Sequence, residues 1–288
     1  MSAESKWLEG IKVLDLTRYL AGPSCTRLLI EMGAEVIKVE TPPYGDPNRS
    51  TSPRVNKRAG THIQQNRGKK SFCVDMYKPE GAALIRELAA TVDVVVENFS
   101  PGVLKRKNLD FDTLRKTNPS LIMASISGFG QTGPLSEQPC FDLIAQGYAG
   151  VMHMTGEPDR PPMFVGIGLA DTNAGAHAFG AIGHALFHRE RTGRGTHLDV
   201  SMVDALFHMQ DLPVHAVSMT DGEYVPMRGG RNFQMLSPAG SFTGPTGWIV
   251  ILCAEGQIPN LYSAIGKPEL NDDPRFKGNP SRLQNRDE

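Results

Sequence analysis

The sequence predicts an α/β fold, with a Rossmann-like, mainly parallel sheet in a large domain and a smaller second domain behind it. Three observations carry that expectation. Short, β-branched apolar runs alternate with longer segments of helical periodicity from residue 11 to beyond residue 200. Turn residues close most of those runs. From residue 222 the alternation stops and the texture becomes loop-rich, which places a boundary near 221 and divides the chain into 1–221 and 222–288.

Each element has its own reason. IKVLDL is a short buried strand, and AGPSCTRLLIEMGA is a helix opened by Gly-Pro in its first turn and stopped at Gly33. EVIKVE returns as a second strand, completing a βαβ unit with a right-handed crossover. Residues 41 to 62 are rich in proline and charge and read as a long surface loop. SFCVDM is a strand, PEGAALIRELAAT an amphipathic helix with Glu80 in its first turn, and DVVVENF a further strand. LDFDTLRKTN is a short helix and LIMASISGFG a strand that ends in glycines. Residues 172 to 190 are helical despite several glycines, each costing ~1 kcal/mol against alanine, so they imply close packing against a backbone or a ligand. HLDVSMVDALFHMQDLPVHAV turns from strand into helix. Past the boundary, GWIVILCA is a strand and QIPNLYSAIG a short helix. Ligands on such sheets bind at the carboxyl ends of the strands, which here means near Arg18 to Pro23, Asn98 to Gly102 and Gly128 to Pro134.

Composition narrows the function. The chain has 288 residues and a net charge of -1 from 30 basic and 31 acidic side chains. That balance argues against general nucleic-acid or anionic-membrane binding. No apolar run approaches the roughly 18 residues of a membrane span, and MSAESKWLEG has no signal core, so a soluble cytoplasmic protein is expected. Cys25, Cys73, Cys140 and Cys253 form no C-x-x-C pair and read as reduced thiols. His184 and His188 have i, i+4 spacing but no acidic third ligand nearby, so no metal is expected. Nucleotide phosphate motifs and the G-x-S-x-G elbow are absent.

Asp171, in GIGLADTNAG, is a lone carboxylate among small and aliphatic residues directly before the expected helix. It can cap that helix, and it can also be a nucleophile. The positive helix end favours its ionised form and an apolar pocket opposes it. In ENFSPGVLKR, Asn98 follows a strand and Arg106 offers a cation, which is either a ligand site or a plain βα loop with solvated charges. QQNRGKKS is a basic segment suited to phosphates or to a soluble turn, and RGGRN is a flexible glycine loop.

Taken in order, LDLTRYLAGP, GAEVIKVE, VENFSPGVL, SGFGQTGP, GLADTNAG and RTGRGTHLDVSM closely resemble the class III coenzyme A transferases. That family includes formyl-CoA and carnitine CoA-transferases and the related α-methylacyl-CoA racemases. The resemblance implies acyl-CoA:carboxylate CoA-transfer in an interlocked homodimer, with CoA thioester and a carboxylic acid as substrates and no further cofactor. It implies a nucleophilic Asp171 that passes through an aspartyl-CoA thioester. It places CoA at Arg18, Leu20, Ala21, Phe72, Cys73, Asn98, Phe99, Ser100 and Arg106, an acidic active-site residue at Asp142, and a shielding loop at Gly229 and Gly230. Leu20 stands where the oxalate-using enzyme has glutamine, which weakens an oxalate assignment. Phe141 stands where the racemases carry histidine, and a phenyl ring cannot move a proton, so transfer is favoured over racemisation. Chains of this family continue beyond SRLQNRDE, so a truncated form with an incomplete small domain is expected. An inactive CoA-binding homologue is the third reading.

Overall fold

In the computed structural model, which describes residues 6–288, a six-stranded sheet carries a hydrophobic core. The strands are β1 (Lys12–Asp15), β2 (Glu35–Glu40), β5 (Lys70–Cys73), β6 (Val94–Glu97), β7 (Ile122–Ser127) and β8 (Thr196–Ser201). Every neighbouring pair is parallel. Their spatial order is β5-β2-β1-β6-β7-β8. The chain leaves β1 towards one edge and β6 towards the other, which is the doubly wound order with its switch point between β1 and β6.

Helices cover the faces because parallel strands must be buried on both sides. Leu14, Val39, Val95 and Met123 project to one face, where α3 (Pro79–Ala89) and α4 (Phe111–Leu114) bury Ile85, Ala89 and Leu114 among them. Elsewhere, α1 (Ala21–Glu31) packs against α7 (Leu169–Thr192). The contact is close because Gly175 carries no side chain: a Cβ there would stand 1.9 Å from Ser24 Oγ and 2.7 Å from the Ala21 carbonyl. The expected tight helix packing is therefore present at Gly175, whereas Gly180 and Gly183 have no atom within 4 Å of a built Cβ. Gly33 ends α1 with φ +106°, as expected.

Several details differ from the sequence expectations. The loop from 41 to 62 contains a small hairpin, β3 (Arg54–Val55) with β4 (Arg58–Ala59), and the start of α2 (Gly60–Asn66). Helix α7 begins at Leu169, so Asp171 lies inside its first turn and Gly168 is the cap. Two helices that hydrophobic periodicity does not reveal follow β7: α5 (Asp142–Tyr148) and α6 (Val151–Met154). After β8 come α8 (Met202–Phe207) and α9 (Asp211–Met219).

The chain forms two compact units, one of residues up to Ala149 with Gly166–Met209, the other of Gly150–Val165 with Gln210–Glu288. This moves the expected boundary from 221 back to residue 209 and assigns an internal segment to the second unit. The physical reasons are that α9 has no buried residue to anchor it to a core, and that Gly230 N–H donates to the Gly156 carbonyl at 3.0 Å. The second unit also holds the antiparallel pair β9 (Ala239–Gly244) and β10 (Gly247–Leu252), α10 (Ile258–Ala264) and α11 (Gly278–Gln284). Arg282 on α11 is buried; it donates to the Ser237 and Phe276 carbonyls and pairs with Glu255. Trp248, Ile249, Val250 and Leu252 of β10 are exposed. Among the described residues no helix is long and apolar enough to cross a membrane.

Candidate active site

The switch point of the sheet opens into a cavity of about 180 Å³ within the first unit. All three predicted strand ends meet there: Arg18 and Ala21 after β1, Asn98 to Pro101 after β6, and Ser127 with Gly128 after β7. Asp171 and Phe141 complete the wall.

Asp171 is the third residue of α7. Its helix end is fixed by two neighbours. Leu20 presses on Gly168, where a Cβ would stand 2.5 Å from the leucine Cδ2. Asp142, the first residue of α5, reaches across to cap α7: its Oδ1 accepts from Ala170 N–H at 2.7 Å and Asp171 N–H at 3.2 Å. Buried Gln146 donates to Asp142 Oδ2 at 2.6 Å. Asp142 therefore takes up the positive end of the helix that Asp171 was expected to cap, and no described residue donates a hydrogen bond to the Asp171 carboxylate. Burial, with the charge of Asp142 beside it, pushes the Asp171 carboxyl up to about 7. Both causes act in the same direction, against the charged form.

The opposite wall is built by a reciprocal clamp. Asn98 Oδ1 accepts from Arg18 N–H at 2.8 Å, and Asn98 Nδ2 donates to the Arg18 carbonyl at 2.8 Å. The amide thus ties β6 to the loop after β1, a structural task for one of the residues at which the family resemblance places CoA. The Arg18 guanidinium lies 4.5 Å from the Phe99 ring centroid. Tyr19 adopts φ +62°, a left-handed conformation costly for a bulky residue. It is held there by Asp46, whose Oδ1 accepts from Tyr19 N–H at 3.0 Å, and by Asn48, whose Nδ2 donates to the Tyr19 carbonyl at 3.0 Å. Its ring meets Phe141 edge-on at 5.9 Å.

The remaining predicted residues are spread more widely. Ser100 lines the cavity; Ala21 is buried at its edge. Phe72 and Cys73 lie on edge strand β5, Phe72 against the core and Cys73 exposed, and neither lines the cavity. Arg106 borders a separate cavity of about 210 Å³ with Lys78, Arg86 and Lys107 around it, a concentrated positive field. A third cavity of about 260 Å³ shares Arg18 and Phe99 with the first. Gly229 and Gly230 belong to the second unit, where Gly230 adopts φ +57° beside Glu157. The basic segment 64 to 71 is only partly on the surface: the Lys69 side chain is buried, with its ammonium 2.9 Å from Asp15 Oδ2.

Two site residues had no separate signal in the sequence. Tyr19 has none because nothing local marks a left-handed tyrosine. Cys140 lines the cavity, and burial with the charges of Asp171 and Asp142 pushes its thiol up to about 11; its place follows from Gly128, where a Cβ would collide with the Cys140 side chain.

A family model described as CoA-transferase family III matches residues 8–288. The acetyl-CoA:oxalate CoA-transferase of Acetobacter aceti is 40% identical over 281 residues, covering 97% of this chain and 72% of that protein. The succinate--glutarate CoA-transferase of Agrobacterium fabrum is 38% identical over 284 residues, covering 96% and 70%. The mouse succinyl-CoA:glutarate CoA-transferase is 39% identical over 285 residues, covering 98% of this chain and 65% of its own length. Among solved structures, a CAIB/BAIF family protein from Brucella suis superposes with a TM-score of 0.86 at 38% identity, covering 99% of this chain and 76% of that one. Sequence, fold and the match along nearly the whole length agree, and the chain belongs to CoA-transferase family III.

Proposed function

We propose that this chain is an acyl-CoA:carboxylate CoA-transferase with Asp171 as its nucleophile. The observation that carries the reading is Asp171 itself: a half-buried carboxylate, bare of hydrogen-bond donors among the described residues and pushed up to about 7, in the wall of a cavity at the sheet's switch point. A carboxylate so poorly solvated is a stronger nucleophile once ionised.

The steps follow from that group. The Asp171 carboxylate attacks the thioester carbonyl of the donor acyl-CoA. The C–S bond breaks, leaving a mixed anhydride and CoA thiolate. The thiolate attacks the aspartyl carbonyl, expels the donor acid and forms an aspartyl-CoA thioester. The acceptor carboxylate attacks that carbonyl and releases the thiolate, which then takes the acceptor acyl group and frees Asp171. Every step exchanges an acyl group between carboxylate and thiolate, so no electron or net proton is exchanged.

Arg18, Asn98, Phe99 and Ser100 line the entry for pantetheine, and Arg106 with Lys78, Arg86 and Lys107 supplies cations for the CoA phosphates. Phe141 borders the Asp171 cavity and has no proton to move, which supports transfer against racemisation. Small dicarboxylic acids are the first acids to assay, given the acids in the names of the relatives. An interlocked homodimer is part of the same reading, and the exposed apolar side chains of β10 offer surface for it.

The test is mass spectrometry after incubation with a panel of acyl-CoAs. A CoA-sized adduct is expected on the peptide that contains Asp171, and Asp171→Ala is expected to lose the adduct and about 1,000-fold or more of the exchange activity while still binding CoA. Turnover near the wild-type rate in that variant rules the mechanism out.

A further inference from the structure

Glu97 ends β6 and is 4% exposed, yet none of the chemistry above uses it. The three residues before it are Val94, Val95 and Val96, all fully buried, and a fourth apolar residue would suit a parallel strand better than a carboxyl. What the carboxyl does is local and specific. Its Oε2 accepts from Phe99 N–H at 2.8 Å. Between the two, Asn98 clamps both backbone groups of Arg18, and the Phe99 ring carries the Arg18 guanidinium. Three consecutive residues therefore fix one turn: Glu97 sets it, Asn98 joins it to the neighbouring loop, and Phe99 lines two cavities.

The carboxyl is itself held from behind. Ser125 of β7 is its partner in the strand register and bonds its side chain. Ser125 Oγ also shares a hydrogen bond with His197 Nε2 at 2.9 Å, and the His197 ring stacks on Phe111 with centroids 5.3 Å apart. Burial pushes the Glu97 carboxyl up to about 7, with the charge of Asp199 adding to it. A neutral carboxyl still offers an acceptor oxygen to Phe99 N–H, so the contact survives either protonation state.

We infer that Glu97 is a positioning residue for acyl-CoA: by holding Phe99 N–H it keeps the Asn98–Phe99 turn in the conformation that lets Arg18 and Phe99 line the ligand cavity together. The inference rests on the CoA reading of that cavity. Glutamine keeps the size and the acceptor oxygen, whereas methionine keeps the bulk and removes the acceptor.

The experiment measures CoA binding to the full chain by calorimetry, with kcat and KM for an acyl-CoA donor, in wild type, Glu97→Gln and Glu97→Met. Glu97→Met is expected to raise the CoA Kd and the acyl-CoA KM about tenfold, with kcat changed less than about threefold, and Glu97→Gln to stay within about threefold of wild type. A Glu97→Met protein that binds CoA like wild type, or a Glu97→Gln protein as weak as Glu97→Met, overturns the inference and leaves the CoA reading intact. Wild type that binds no CoA overturns both. Should Glu97→Met not fold, hydrogen exchange at the Phe99 amide in Glu97→Gln decides. Protection close to wild type supports the inference, and protection lost more than about tenfold overturns it.

Discussion

Asp171 shows how much one side chain's behaviour depends on its neighbours. A carboxylate at a helix start is normally stabilised in its charged form, but here burial, with the charge of Asp142 adding to it, pushes the carboxyl up to about 7. Under the proposed mechanism Asp171 must be ionised to attack, so kcat/KM is expected to rise with pH through about 7, read from the free-enzyme profile. Asp142→Asn removes the adjacent charge and should move that limb to lower pH by less than about one unit, since burial is the larger cause. The same group affects stability. Unfolded, the carboxyl ionises near 3.8, and folded near 7. Between those values the unfolded chain has released a proton that the folded one keeps, so this contribution to stability is full below 3.8 and is lost as pH rises towards 7. Asp171→Asn is accordingly expected to stabilise the protein at pH 8 by on the order of 2 kcal/mol and to change little at pH 4, as followed by urea titration.

At the scale of elements, α7 is set by its contact with α1. Its glycines looked alike in the sequence, and the structure separates them. Gly175→Ala places a methyl against Ser24 and the Ala21 carbonyl and should cost about 2 kcal/mol and lower activity, because the shift is transmitted to Asp171 one turn away. Gly180→Ala meets open space and should stabilise the helix by up to about 1 kcal/mol. Thermal melts of the two variants moving in the same direction would contradict this picture. Strand runs, the glycine stop of α1 and the acidic first turn of α3 were legible because each rests on local chemistry. Helix α5 was not, since its buried face is small and its Asp142 acts on another helix.

Across the whole molecule, a second group of charges gathers around β1 and β2, outside the Asp171 cavity. Lys69 pairs with Asp15, and Lys38 donates to the Thr17 carbonyl at 2.8 Å and lies 3.1 Å from Asp46, with the ion-pair side chains all buried. Burial opposes the Asp15 charge, yet Lys38, Lys69 and the Thr17 hydrogen bond outweigh it and hold the carboxyl well below the usual range. Glu40, opposed by burial and bonded by Arg49, is lowered to about 2. Both contribute stability that is present above their unfolded pKa values near 4 and lost as pH falls towards 2, so acid unfolding is expected in that window. Lys69→Met removes the ammonium paired with Asp15 and should cost about 3 kcal/mol at pH 7, measured by denaturant unfolding.

The sequence by itself determined the α/β class, the order of the main strands and helices, the three strand ends that form the site, and the identity of the lone carboxylate. These are properties of short windows, where periodicity, turn chemistry and charge act within a few residues. Only the tertiary structure decided which residue caps α7, that Asn98 clamps Arg18, that the Lys69 side chain is buried, and that residues 150 to 165 belong with the second unit. Each of those depends on groups brought together from distant parts of the chain, where burial and reach, which no local pattern encodes, fix the outcome.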